Sequence, residues 1–157
     1  MTERSATHAT FAIERRYAVA PARVFKAWAD PAAKARWFAC HDDWQASKYE
    51  LDFRVGGRER LKTAPPGGQV HAFDGRYLDI VPDRRIVFAY DMHLGEMRVS
   101  VSLATVEFKP AGAGTRLTFT EQAVFLDGHD DVAARKEGTQ ALLKKLETEL
   151  RREPAST

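Results

Sequence analysis

The segment Val19-Ala20-Pro21-Ala22-Arg23-Val24-Phe25-Lys26-Ala27-Trp28-Ala29-Asp30-Pro31-Ala32-Ala33-Lys34-Ala35-Arg36-Trp37-Phe38 reads as two short helices divided by a proline. Pro21 suits the first helical turn, where its missing N–H costs nothing. Val24, Phe25 and Trp28 then share one helical face, the spacing of an apolar stripe. Asp30-Pro31 ends that helix and opens the next, with Asp as N-cap and Pro as first helical residue. Before and after this segment the apolar residues recur with a period of two.

Working outward, Thr10 to Tyr17 alternates, with Phe11, Ile13, Arg15 and Tyr17 on one face. Alternation returns in Lys48 to Arg54, Arg58 to Thr63, Val70 to Ile80, Arg85 to Asp91, Arg98 to Phe108 and Thr115 to Phe125. Between them lie turn residues: Gly56-Gly57, Pro65-Pro66-Gly67-Gly68, Val81-Pro82-Asp83, His93 to Glu96 and Pro110 to Gly114. Val101 and Leu103 are out of phase with Val106 and Phe108, which predicts a bulge near Ala104-Thr105. Seven strands with short turns predict one antiparallel meander in an α+β layout, with the helices covering one face.

A last helix is predicted from about Asp131 to Arg151, capped by Asp130 or Asp131. Leu142, Leu143, Leu146 and Leu150 form its stripe, and Lys144, Lys145, Arg151 and Arg152 suit its C-terminal end. Gly138 interrupts it at a cost of about 1 kcal/mol relative to alanine. Either a close approach to the sheet or space left for a ligand would offset that cost.

Composition narrows the function classes. The chain has 157 residues, 24 basic and 22 acidic side chains and a formal net charge of +2. Such balance predicts no nucleic-acid partner and no anionic-membrane partner. No apolar run approaches the length of a membrane span, so no membrane insertion is expected. One cysteine, Cys40, excludes an internal disulfide and fits a reducing compartment. The opening residues hold no apolar core of a signal peptide, so a cytoplasmic protein is expected. The expected organisation is a disordered tail over 1–8, one domain over 9–151 and a flexible tail over 152–157.

Four motifs in order resemble a known family. They are Pro21 to Pro31 with Arg36-Trp37-Phe38 behind it, Asp52-Phe53-Arg54-Val55-Gly56-Gly57-Arg58, Gly75 to Phe88, and Gly114-Thr115-Arg116-Leu117-Thr118-Phe119-Thr120. Together they resemble the bacterial homologues of the activator of heat-shock protein 90 ATPase, within the START-like (SRPBCC) superfamily. The resemblance spans about residues 10 to 150 and implies a helix-grip fold. In that fold a curved antiparallel sheet grips a long C-terminal helix, with a cavity between them. Two departures stand out. Ala20 occupies the position of a capping Ser, Thr or Asp, and Gly138-Thr139 replaces a Gly-Trp pair. The chain offers no room for the separate chaperone-binding domain of the eukaryotic activator, so chaperone activation is not expected to carry over.

The resemblance implies a ligand cavity near Gly138 and Leu142. Trp28, Trp37, Phe53, Phe73, Tyr77, Phe88, Tyr90 and Phe119 either line it or fill an ordinary core. Glu121 is the sharpest single residue, because strand phase puts it on the apolar face with Leu117 and Phe119. Arg15 shares the apolar phase of the first strand. An Arg15–Glu121 pair is therefore predicted, either as a structural ion pair or as polar groups that orient a ligand.

Other candidates carry less. Cys40-His41-Asp42-Asp43 lacks the spacing of a zinc site, and His8, His71, His93 and His129 are isolated, so no metal and no cofactor are expected. Gly56-Gly57 lacks the Gly-Lys-Ser/Thr ending of a phosphate loop and reads as a hairpin turn. Three functions stay open at this point. The first is binding of a small hydrophobic or amphipathic molecule. The second is a cyclase- or dehydratase-like enzyme using Glu121 with Tyr77 or Tyr90. The third is a co-chaperone-like interaction module. No catalytic residue is assigned, and a homodimer is left open.

Overall fold

A computed structural model describes residues 4–39 and 45–152. The chain runs β1 (Ala6–Tyr17), α1 (Pro21–Ala29), α2 (Pro31–Lys34), a π-helical turn (Ala35–Ala39), β2 (Gln45–Leu51), β3 (Arg58–Ala64), β4 (His71–Val81), β5 (Arg85–Leu94), β6 (Met97–Ala111), β7 (Gly114–Leu126) and α3 (Val132–Leu150). Seven strands form one sheet in the order β1-β7-β6-β5-β4-β3-β2, and every neighbouring pair is antiparallel. This is the predicted meander, with β1 added beside β7. The helices cover its inner face, so the architecture is the helix-grip.

The two-helix segment folds as its sequence dictates. Val24, Phe25, Ala27 and Trp28 are the buried face of α1. No side chain caps α1 at Ala20, whereas the Asp30 carboxylate accepts the Ala33 N–H at 3.2 Å and caps α2. α2 stops after one turn and widens into the π-helical turn, where the Trp37 indole N–H donates to the Ala27 carbonyl at 2.9 Å. That bond ties the two helical pieces together and buries Trp37 against Trp28, their ring centres 4.8 Å apart.

Strand phase is legible throughout the core. On β7 the buried positions alternate as Thr115, Leu117, Phe119, Glu121, Ala123 and Phe125. Two strand details differ from expectation. β1 starts at Ala6 rather than Thr10, pairing residues 6 to 8 with Leu126, Phe125 and Val124. The Ser5 N–H donates to Asp127 Oδ1, and the Asp127 N–H donates to the Ser5 carbonyl, which anchors the strand's start. There is no bulge at Ala104-Thr105, since β6 pairs with β7 without a break. Val101 and Leu103 face outward and stay about 40% exposed, while Ser100, Ser102, Ala104, Val106 and Phe108 face inward. The irregularity between β5 and β6 lies at Met92/His93.

Gly56-Gly57 is a turn between β2 and β3. Gly56 has φ +85°, and a Cβ on Gly57 would lie 2.0 Å from the Asp52 carbonyl oxygen, so both positions require glycine. The final helix is capped by Asp131, whose carboxylate accepts the Ala134 N–H at 2.8 Å. Leu143, Leu146 and Leu150 are buried, and Leu142 is partly so.

Candidate functional site

α3 packs on β1, α1 and the π-helical turn. Three contacts hold its C-terminal half there. The Tyr17 hydroxyl donates to the Leu143 carbonyl at 2.9 Å, Arg36 Nη2 meets Glu149 Oε1 at 2.6 Å, and Arg15 Nη2 meets Glu147 Oε2 at 3.2 Å. Between the rest of the helix and strands β3, β4 and β5 lies a cleft of about 340 Å³. Its apolar wall consists of Phe38, Leu61, Phe73, Met92 and Leu142, with Thr63, His71, Tyr90, Asp130, Arg135, Thr139 and Lys145 adding polar and charged groups. On the helix side the wall is Ala134, Gly138 and Ala141, one face at helical spacing. A Cβ on Gly138 would meet nothing within 4 Å. The glycine therefore marks open space, and the close approach to the sheet is not what it serves.

Behind the cleft lies a small chamber of about 50 Å³. Phe38, Phe73, Tyr90, Thr139 and Leu142 wall both spaces. Trp28, Lys34, Trp37, Phe88, Phe119, Glu121 and Leu143 complete the chamber together with Glu59.

Two buried polar networks border this chamber. In the first, Lys34 Nζ donates to both Glu59 oxygens at 3.2 and 2.9 Å, and the Tyr49 and Tyr77 hydroxyls donate to the same carboxylate at 2.6 and 2.8 Å. The rings of Trp28, Trp37 and Phe38 stand 5.0, 5.3 and 4.5 Å from the ammonium. Burial lowers the Lys34 pKa, opposed by Glu59. Burial, reinforced by the Glu59 charge, pushes Tyr49 and Tyr77 well above the ordinary tyrosine range.

In the second network Glu121 accepts from the Tyr90 hydroxyl at 2.8 Å, from Ser102 Oγ at 2.8 Å and from Arg135 Nη1 at 3.2 Å. Arg135 also donates to Ser100 Oγ at 2.6 Å and Asp130 Oδ2 at 2.9 Å. Tyr90 is pushed above the ordinary tyrosine range by burial and then by the Glu121 charge.

The structure sorts the sequence candidates. Trp28, Trp37, Phe88, Phe119 and Glu121 line the chamber, Phe73, Tyr90 and Leu142 line both spaces, and Gly138 lines the cleft. Phe53, Tyr77 and Arg15 line neither. Phe53 packs edge-on against Phe25 and Tyr77, and Tyr77 is occupied with Glu59. Glu121 is fully buried on the apolar face, as strand phase required. Its predicted partner is wrong. Phe11 sits opposite Glu121, Arg15 sits opposite Leu117, and Arg15 reaches Glu147 instead. The offset is four residues, about 13 Å along a strand.

Lys34, Glu59 and Arg135 were missed. Glu59 shares the inward phase of Leu61 and Thr63, the same signal that singled out Glu121. Arg135 precedes Thr139 and Leu142 on the inner stripe of α3. Cys40-His41-Asp42-Asp43 lies outside the described residues. Among the described residues no helix is long and apolar enough to cross a membrane.

Comparison with known proteins agrees with this architecture. The family model described as Activator of Hsp90 ATPase homolog 1-like protein matches residues 18–151. No curated protein matches the chain. The chain is similar to the solved structure of an uncharacterized protein from Rhizobium leguminosarum, 55% identical, with a TM-score of 0.93 over 97% of this chain and 100% of that one. It is also similar to a Rhizobium loti protein, 48% identical, with a TM-score of 0.87 over 92% of this chain and 99% of that one. An AHSA1-like protein from Aeromonas hydrophila shares the fold at 22% identity, with a TM-score of 0.69 over 95% of this chain and 100% of that one. With the motifs, the sheet order and the gripped helix in agreement, the chain belongs to the Activator of Hsp90 ATPase homolog 1-like family, within the START-like fold.

Proposed function

We propose that this protein binds a small, mainly apolar molecule in the cleft between the sheet and α3. The observation that carries this reading is the open space at Gly138, in a cleft of about 340 Å³ with aromatic and aliphatic walls. That volume lies at the lower end of the roughly 300–1,000 Å³ of small-molecule sites. Ala134 and Ala141 keep the helix face low on either side of the glycine. The amphipathic part of the reading comes from the polar edge, where Tyr90, Thr139 and Arg135 meet the apolar wall.

The polar groups support binding over proton transfer. Glu121 already accepts from three donors, and the Tyr90 O–H is directed at Glu121 as a hydrogen-bond donor. A general acid or base needs a proton, or a lone pair, directed at the substrate. Titration with an environment-sensitive apolar fluorophore tests the reading. Saturable binding that is competed by small hydrophobic molecules and lost in Gly138→Leu supports it. Equal binding by a folded Gly138→Leu protein would sink it.

A further inference from the structure

Trp28 and Lys34 line the inner chamber, and each carries hydrogen-bond donor capacity that the protein does not fully use. Trp28 Nε1 is buried and has no acceptor among the described residues. Buried donors are almost always paired, so an orphan asks for a ligand or a water. The Lys34 ammonium has three N–H groups, and its hydrogen bonds all go to the Glu59 carboxylate. The remaining donor capacity lies within a cage of aromatic rings that cannot accept a conventional hydrogen bond.

Acceptors around the chamber are in the opposite condition. Glu59 takes bonds from Lys34, Tyr49 and Tyr77, and Glu121 takes bonds from Tyr90, Ser102 and Arg135. Among the described residues the chamber is therefore short of an acceptor. Charge is already matched there: Lys34 stands against Glu59, and Arg135 against Glu121. A carboxylate entering the chamber would add an unmatched charge in a poorly solvated place. A neutral acceptor would not. Size allows one, since about 10–15 Å³ of such space holds a water and the chamber offers about 50 Å³. It has room for a carbonyl group. Five side chains shared with the cleft put the chamber at the inner end of the ligand's path.

We propose that the chamber receives the neutral carbonyl oxygen of an otherwise apolar ligand, held by the Trp28 indole N–H and the Lys34 ammonium. The proposal rests on the cleft being a ligand site and names the class of ligand: ketones, esters or lactones rather than free acids or plain hydrocarbons. The apolar body occupies the cleft under Gly138, and the carbonyl end passes between Phe38, Phe73 and Leu142.

Three probes with one butylphenyl body separate the possibilities: para-butylacetophenone, para-butylethylbenzene and para-butylbenzoic acid. They are titrated into isotope-labelled protein, and the Trp28 indole N–H resonance, assigned through its side-chain contacts, is followed by NMR. The ketone is expected to bind about tenfold more tightly than the hydrocarbon, the size of one net hydrogen bond, and to shift the Trp28 indole signal. Trp28→Phe keeps a ring in the core and removes the donor. It should bring the ketone-to-hydrocarbon ratio close to one. Equal binding of ketone and hydrocarbon by the unaltered protein means that only water occupies the chamber, and it overturns the proposal. Tightest binding of the acid overturns it too, as does a Trp28 signal that ignores the ketone. If none of the three probes enters the cleft, the binding reading itself falls; if the hydrocarbon binds as well as the ketone, that reading stands and only the carbonyl assignment fails.

Discussion

Arg135 Nη1 lies 3.2 Å from Glu121 Oε2, joining the first turns of α3 to a strand at the far side of the sheet's inner face. The same guanidinium reaches β6 through Ser100 and Ser102, and the preceding loop through Asp130. One side chain thus closes the N-terminal end of the grip. Removing it leaves a buried carboxylate without its cation. Arg135→Met and Glu121→Leu should each cost about 3–5 kcal/mol. The double variant should cost clearly less than the two losses added. Urea unfolding measures all three. A coupling energy under about 0.5 kcal/mol would mean that the contact contributes nothing specific.

Arg15 calls for the opposite outcome. Its partner Glu147 is 41% exposed, and Arg15 itself is 26% exposed. Water screens such a pair, so Arg15→Met should destabilise by less than about 1 kcal/mol. Its effect should add to that of Glu121→Leu without coupling. A loss of several kcal/mol in thermal or urea unfolding would contradict the geometry.

Gly138 separates stability from binding. Its added Cβ meets open space and its backbone is helical, so Gly138→Ala should stabilise by about 0.5–1 kcal/mol. Gly138→Leu should fold equally well yet exclude probes from the cleft. A differential scanning experiment reads the first effect and fluorophore titration the second. Destabilisation by alanine would mean that the helix face at this point is closed.

Alkaline titration should show tyrosines that refuse to ionise. The chain has four, Tyr17, Tyr49, Tyr77 and Tyr90, and burial raises the pKa of each. A tyrosine whose folded pKa lies above its unfolded value of about 10 adds stability that is complete below pH 10 and is lost as pH rises beyond it. Lys34 works in the reverse sense. Its lowered folded pKa means that the unfolded chain binds more protons below 10.5, so its own contribution rises with pH. The four tyrosines prevail above pH 10. Phenolate absorbance should therefore appear together with unfolding, in one cooperative step. Gradual ionisation of a still-folded protein near pH 10 would refute the burial of these hydroxyls.

Phase was legible in the sequence, and register was not. Alternation alone put Leu117, Phe119 and Glu121 inward, because a strand's side chains can face only two ways. The partner of Glu121 was not legible, since β1 and β7 meet across nearly the whole chain and no turn sets their alignment. Arg135 came instead from a helix, where the same inward stripe that carries leucines carries one guanidinium. Glu59 was readable by phase but hidden between Arg58 and Arg60, where it looked like one charge among others. Apart from the family resemblance, the clearest sequence trace of the cleft was a glycine in the middle of a helix. The unpaired Trp28 N–H had none, because only three-dimensional packing decides whether an indole meets an acceptor.

The seam between β1 and β7 has a consequence for how the protein is made. It joins Ala6 to Leu126 and Tyr17 to Thr115, so every bond across it closes a loop of roughly a hundred residues. Long-range pairing of this kind slows folding towards the millisecond-to-second range. A chain leaving the ribosome presents β1 first and its neighbour almost last. Until β7 emerges, the strand that starts the domain is an unpaired edge, open to strands of other chains. The same delay holds for Tyr17 and Arg36, whose partners on α3 are synthesised later still.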